Sequence, residues 1–204
     1  MATARDMIKE IAAAISRPEA TVTSYYSVLR KGGLISTTGR GRSAQHLSSL
    51  DAARILIVML SADSLQEGEA ITQLVGELRH ERFNRNMELV GEIRFEDALA
   101  HMIEFNAALL HGRMPPECSL LGDLRSEDVQ ISVTATHLRA EIVVEEEEIQ
   151  FIDTIMENPG MTYPEDWEGI SMKDRLINRA IMEGMSVTRA VDQQAIKRIA
   201  AAMP

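Results

Sequence analysis

IAAAISRPEATVTSYYSVLRKGGLI, residues 11–35, and the STTGRGRSAQHL that follows at 36–47 decide how the chain starts to fold. Two helices joined by a short turn need a small residue where they cross, a break about four residues later, and a β-branched anchor on the second helix. Ile11-Ala12 supplies the apolar and small pair, Ser16-Arg17 the turn, Pro18 the start of the second helix and Val22 its anchor. Proline lacks an amide donor and pushes its predecessor out of the helical region, yet it fits the first turn of a new helix. From Val22, steps of four and three reach Tyr26 and Leu29, which seats this helix on a core. The opposite face then carries Glu19, Thr21, Thr23, Ser24, Ser27 and Lys31.

Working outward, the first helix is expected from Thr3, a good N-cap, to Ile15, with Met7, Ile8, Ile11, Ala12 and Ile15 at helical spacing on one side. The second runs to Lys31, with Val22, Tyr25, Tyr26, Val28 and Leu29 available to its buried side, and Gly32-Gly33 stops it. Leu34–Thr37 reads as a short strand, TTGRGRSAQ as a Gly-rich basic tip, and His46-Leu47 as the return. Asp51 starts or caps a helix that is apolar nearly all round and therefore buried. Residues 66–83 read as helix, with Ile71, Leu74, Val75 and Leu78 on one face. MELVGEIRF (87–95) reads as strand and 96–111 as helix. VQISVTATHLRAEIVV (129–144) alternates as a hairpin turning near Ala135–His137, and two C-terminal helices are expected at 171–183 and 187–202.

These elements predict an α+β chain. Residues 1–62 form a basic head, 63–170 an acidic helical and antiparallel β body that serves oligomerisation or partner binding, and 171–204 a C-terminal helical hairpin. The formal net charge is −10, but it is distributed unevenly. The head holds eight Lys/Arg (Arg5, Lys9, Arg17, Arg30, Lys31, Arg40, Arg42, Arg54) against four acids (Asp6, Glu10, Glu19, Asp51). Residues 63–170 hold seven basic and 24 acidic side chains, and 171–204 six and three. With aromatics at 4%, the interior must be filled by Leu, Ile, Val, Ala and the twelve Met. One cysteine, Cys118, cannot form an internal disulfide and no cluster of cysteines exists for zinc. The charged start MATARDMIKE is no secretory signal, and the run Ile55–Leu60 is far below the roughly 20 residues needed to span a bilayer, so a cytoplasmic location is expected.

The pattern over residues 3–60 resembles the winged helix-turn-helix DNA-binding proteins of bacteria and their phages. The resemblance implies a second helix that enters the major groove of duplex DNA, and a Gly/Arg tip (the wing) that reaches a flanking groove or the backbone. Thr21, Thr23, Ser24 and Ser27 would form the recognition surface, Arg40 and Arg42 would be the wing cations, and Arg17, Lys31 and Ser43 would complete the DNA-contacting set. Short hydroxyls on an exposed helix suit approach to base edges and phosphates. Overall acidity is no obstacle, because phosphate neutralisation is local and is screened within about 10 Å at 0.1 M salt. One departure is Ser16, where the family's turn carries glycine. Serine tolerates a left-handed backbone poorly, so a turn one residue longer is expected.

Other residues carry weaker signals. His46, His80, His101, His111 and His137 fall in different elements with no helical pair facing acids, so no metal site is expected. Glu145–Glu148 read as a solvated edge or loop, and Cys118 lacks a neighbouring histidine. No Walker loop, GxSxG elbow or HExxH is present, and neither an enzyme nor a cofactor is expected. In INRAIMEGMSVTRAV, Ala180 and Gly184 repeat the small-residue spacing, which suits a packing hairpin better than a second DNA-contacting unit. The leading expectation is a sequence-selective DNA-binding transcriptional regulator of bacterial or phage type, acting as a homo-oligomer, a dimer being favoured, and contacting the transcription machinery. The alternatives are a viral DNA-packaging recognition subunit of small-terminase type, and a protein-interaction module whose acidic middle docks a basic partner.

Overall fold

The computed structural model describes residues 3–36, 47–83, 89–116, 129–135, 138–144, 147–152 and 188–203. Among them, six helices and six strands form a mixed α+β fold. In chain order these are α1 (Ala4–Ala14), α2 (Glu19–Lys31), α3 (Ser49–Ser61), α4 (Gly68–Gly76), β1 (Arg79–Phe83), β2 (Leu89–Arg94), α5 (Phe95–Leu110), β3 (Val129–Thr134), β4 (Arg139–Val144), β5 (Glu147–Ile152), β6 (Thr188–Asp192) and α6 (Gln193–Ala201). The strands make one antiparallel sheet in the order β2-β1-β5-β4-β3-β6. None of the described helices is long and apolar enough to cross a membrane.

Period-two alternation decides which side of the sheet is covered. Val129, Ile131 and Val133 of β3, Ala140, Ile142 and Val144 of β4, and Ile149 and Phe151 of β5 are all buried, while their neighbours along each strand face the other way. Against the apolar side lies α3, whose residues Ile55 to Val58 are wholly buried. Helix α5 packs on α3, α6 packs on α5 and α1, and α4 fills the space between α2, α3 and α5. The apolar core is continuous from Met7 to Ala202. It runs unbroken across position 62, where the net charge of the sequence changes sign.

Local chemistry sets the helix starts. Thr3 and Asp6 form a capping box at α1, and the two bonds from Thr3 hold the exposed Asp6 carboxyl below its ordinary value. At α3 the N-cap is Ser48; Asp51, expected to start or cap this helix, is its N3 partner in the same box. Asp192 caps α6 by accepting from the Ala195 amide at 2.9 Å.

Several expectations are corrected. Residues 79–83, read as the end of a helix, are β1, because pairing with β2 and β5 satisfies a backbone whose side chains have no helical periodicity. Thr188–Asp192, read as helix, is β6, paired along its length with β3; its β-branched residues suit the sheet and Asp192 starts the helix late. The pairing of a C-terminal helical hairpin is not what the described part shows, and residues 171–183 lie outside it. Glu147 and Glu148 are in no loop: they begin β5, which lies between β1 and β4 in the sheet, and pair with Val144 and Val143 of β4, Glu148 being exposed; Glu145 and Glu146 are outside the described residues. Leu34–Ser36, expected as strand, joins none of the described ladders.

The turn between α1 and α2 is of ordinary length. Ser16 takes φ 52°, the Ser16 amide donates to Ala13 O at 3.4 Å and the Arg17 amide to Ala12 O at 2.9 Å, the paired bonds of a Schellman stop. Gly33 (φ 77°) and Gly112 (φ 64°) end α2 and α5 by the same bonds. Serine thus occupies the glycine position without an added residue, which corrects the longer turn expected from sequence. An L residue here costs roughly 1–2 kcal/mol, offset in part by the 0.5–1 kcal/mol entropic cost of glycine. Ser16→Gly should therefore stabilise the fold by about 0.5–1 kcal/mol, read as a higher urea midpoint at unchanged slope. A lower midpoint would show that Ser16 makes a compensating interaction.

Candidate nucleic-acid interface

Helix α2 is anchored on one side by Val22, Tyr25 and Leu29, all buried. Tyr26, expected in the seat, is only half-buried at the margin; Tyr25 takes the inward place because it stands three residues from Val22 and four from Leu29, on the same face. Burial, with the Glu67 and Asp63 carboxylates nearby, pushes the Tyr25 phenol above its ordinary pKa. Tyr25 and Val28 pass close over Gly68: a Cβ there would sit 3.2 Å from the Tyr25 ring, so a larger residue requires the ring to give by a few tenths of an ångström.

The opposite arc of α2 is open. Thr23, Ser24, Ser27 and Lys31 are exposed, as is Arg17 in the turn, while Thr21 lies half-buried on the flank. The face thus gathers four of the residues singled out from the sequence and leaves Thr21 at its margin. Arg30 was missed as a member: it is exposed, and it stands three residues from Ser27 and seven from Thr23, a spacing that could have identified it. Arg30 and Lys31 sit in the last turn, where cations complement the helix dipole. Arg40, Arg42 and Ser43 lie outside the described residues.

Not every head cation faces solvent. Arg54 donates from Nε to Glu96 at 2.8 Å and from Nη1 to the Leu34 carbonyl at 2.6 Å, and Arg94 reaches the other Glu96 oxygen at 3.0 Å. This pins the exit of α2 to α3 and α5. The buried Asp51 carboxylate does the same one step later, accepting from the Ser36 amide at 3.1 Å, the Ser36 hydroxyl at 2.7 Å and the Ser48 amide at 2.9 Å. Ser36 and Ser48 are thereby fixed to one group at the start of α3. Glu10 is paired with Arg198 at 2.9 Å, so α6 offsets one acid of α1.

Among the described residues the open side of the sheet carries more acids than bases, and some of them are paired. Arg79 meets Glu92 at 2.6 Å, and Arg139 meets Glu141 at 2.5 Å and Glu148 at 3.3 Å. Arg189 of β6 pairs with Asp63 and donates to Leu60 O, joining the sheet margin to the end of α3. Of the histidines, His80 lies tilted against Phe151 and bonds Gln150 O, His111 bonds Met203 O, and burial lowers the pKa of His101; His46, His137 and Cys118 lie outside the described residues. Among the described residues no group of three or more His, Cys, Asp or Glu converges. A groove of about 470 Å³ runs between the end of α1, β3 and β6; among its described lining residues the one carboxylate, Asp192, is engaged in capping α6.

Comparison of the chain with protein-family models, with curated proteins and with solved structures found no match.

Proposed function

We propose that the outward arc of α2 binds duplex DNA through the major groove, and that the protein is a sequence-selective regulator of bacterial or phage type. The observation that carries this reading is the composition of that arc: Thr23, Ser24 and Ser27 stand exposed between Arg17 at one end and Arg30 and Lys31 at the other. A helix of about 10–12 Å diameter fits a major groove about 12 Å wide. Short hydroxyls let the helix axis approach base edges, while cations at its two ends reach phosphates on either side. The turn at Ser16 and the seat formed by Val22, Tyr25 and Leu29 make the arc rigid, so little ordering entropy is lost on binding. One such helix offers a small interface, and a dimer would double the contacts and the length of site read.

Selection of bound fragments from random duplex DNA at moderate salt tests the reading; enrichment of a defined sequence is expected, and recovery of none would remove it. Arg17→Ala should lower the salt slope of binding by about one, as the loss of one phosphate contact requires. An unchanged slope and affinity would place Arg17 outside the interface.

A further inference from the structure

The three hydroxyls of the α2 arc share one orientation. Thr23 Oγ1 donates to Glu19 O at 2.8 Å, Ser24 Oγ to Ala20 O at 2.9 Å, and Ser27 Oγ to Thr23 O at 2.9 Å. A hydroxyl has one hydrogen and two lone pairs. With each hydrogen committed to the carbonyl four residues back, the groups turn acceptors outward. Phosphate oxygens, guanine O6 and N7, and thymine O4 are acceptors too, so meeting them would require breaking the bond to the helix. Adenine N6 and cytosine N4 are the donors exposed in the major groove.

Resting on the reading of α2 as the groove-facing helix, we infer that Thr23, Ser24 and Ser27 select bases that carry an exocyclic amino group. Every base pair has one amino group in the major groove, so the discrimination is by strand: adenine or cytosine is accepted at a contacted position, and guanine or thymine is refused. Phosphate contacts then fall to Arg17, Arg30 and Lys31. The code predicts a recognisable degeneracy, A or C interchangeable at up to three positions on one strand.

The test uses the full chain. A site is first enriched from random duplex DNA, and the adenine or cytosine at each degenerate position is then replaced by purine or pyrimidin-2-one, which lack the amino group. Each replacement should weaken wild-type binding about three- to tenfold, the scale of one hydrogen bond. The loss should vanish, position by position, in Thr23→Ala, Ser24→Ala or Ser27→Ala, which keep a good helix former on an exposed face. If a site is enriched but guanine or thymine is required there, or the analogues bind as the natural bases do, the inference fails and the DNA-binding reading stands. If no site is enriched, both fail.

Discussion

Phe151→Ala is expected to lower the free energy of unfolding by about 3–5 kcal/mol. The side chain is fully buried on β5, an interior strand, with its ring 5.2 Å from Phe95 at 57° and 5.8 Å from His80 at 55°. Truncation loses the transfer energy of the ring, leaves a cavity between strand and helix, and removes two tilted ring contacts. Phe151→Leu keeps most of the volume and should cost less than about 1.5 kcal/mol. Urea unfolding of both variants measures the difference. A loss below about 1 kcal/mol for the alanine variant would mean that the surroundings of Phe151, Phe95 among them, close freely over the space left, contrary to the packing described.

Glu96→Ala is expected to cost roughly 2–4 kcal/mol, because removing one partner of a buried ion pair leaves the other charge uncompensated. The Glu96 side chain is 7% exposed and receives both Arg54 and Arg94, whose own side chains are 22% and 44% exposed. That access to water places the effect toward the lower part of the range for fully buried pairs. A double replacement, Arg54→Met with Glu96→Leu, should recover much of the loss, since an apolar pair of similar volume has no desolvation penalty. Additive losses in that double-mutant cycle would show that Arg54 and Glu96 are not coupled. Because Arg54 also holds the Leu34 carbonyl, the single variant should loosen the exit of α2 as well, visible as faster amide exchange at Leu34 and Ile35.

Much of the candidate site could be read from the chain alone. Spacing placed α1, α2 and the turn at Ser16-Arg17, and it put Thr23, Ser24, Ser27 and Lys31 on an outward arc, because three- and four-residue steps are properties of one helix. It made both Tyr25 and Tyr26 available to the buried side and took Tyr26 for the seat, where Tyr25, three residues from Val22 and four from Leu29, is the one buried. It counted Arg54 toward the charge of the head but could not show its pairing, since the partner Glu96 lies 42 residues away. The donor direction of the hydroxyls was equally invisible: serine and threonine can bond the helix or turn outward, and sequence does not choose between them.

The features legible without the fold are local: the cap at Thr3, the double-glycine stop after Lys31, the exposed arc of α2, and the alternation that makes β3 and β4 a hairpin. Each depends on residues within a few positions of one another. Long-range packing was needed to make strands of Arg79–Phe83 and Thr188–Asp192, to set Glu147-Glu148 at the start of a strand between β1 and β4, and to join the head to the body through one core. A strand's backbone groups are satisfied only by a partner that can lie far away in the chain, as Thr134 and Thr188 do here. Local spacing has no access to that partner.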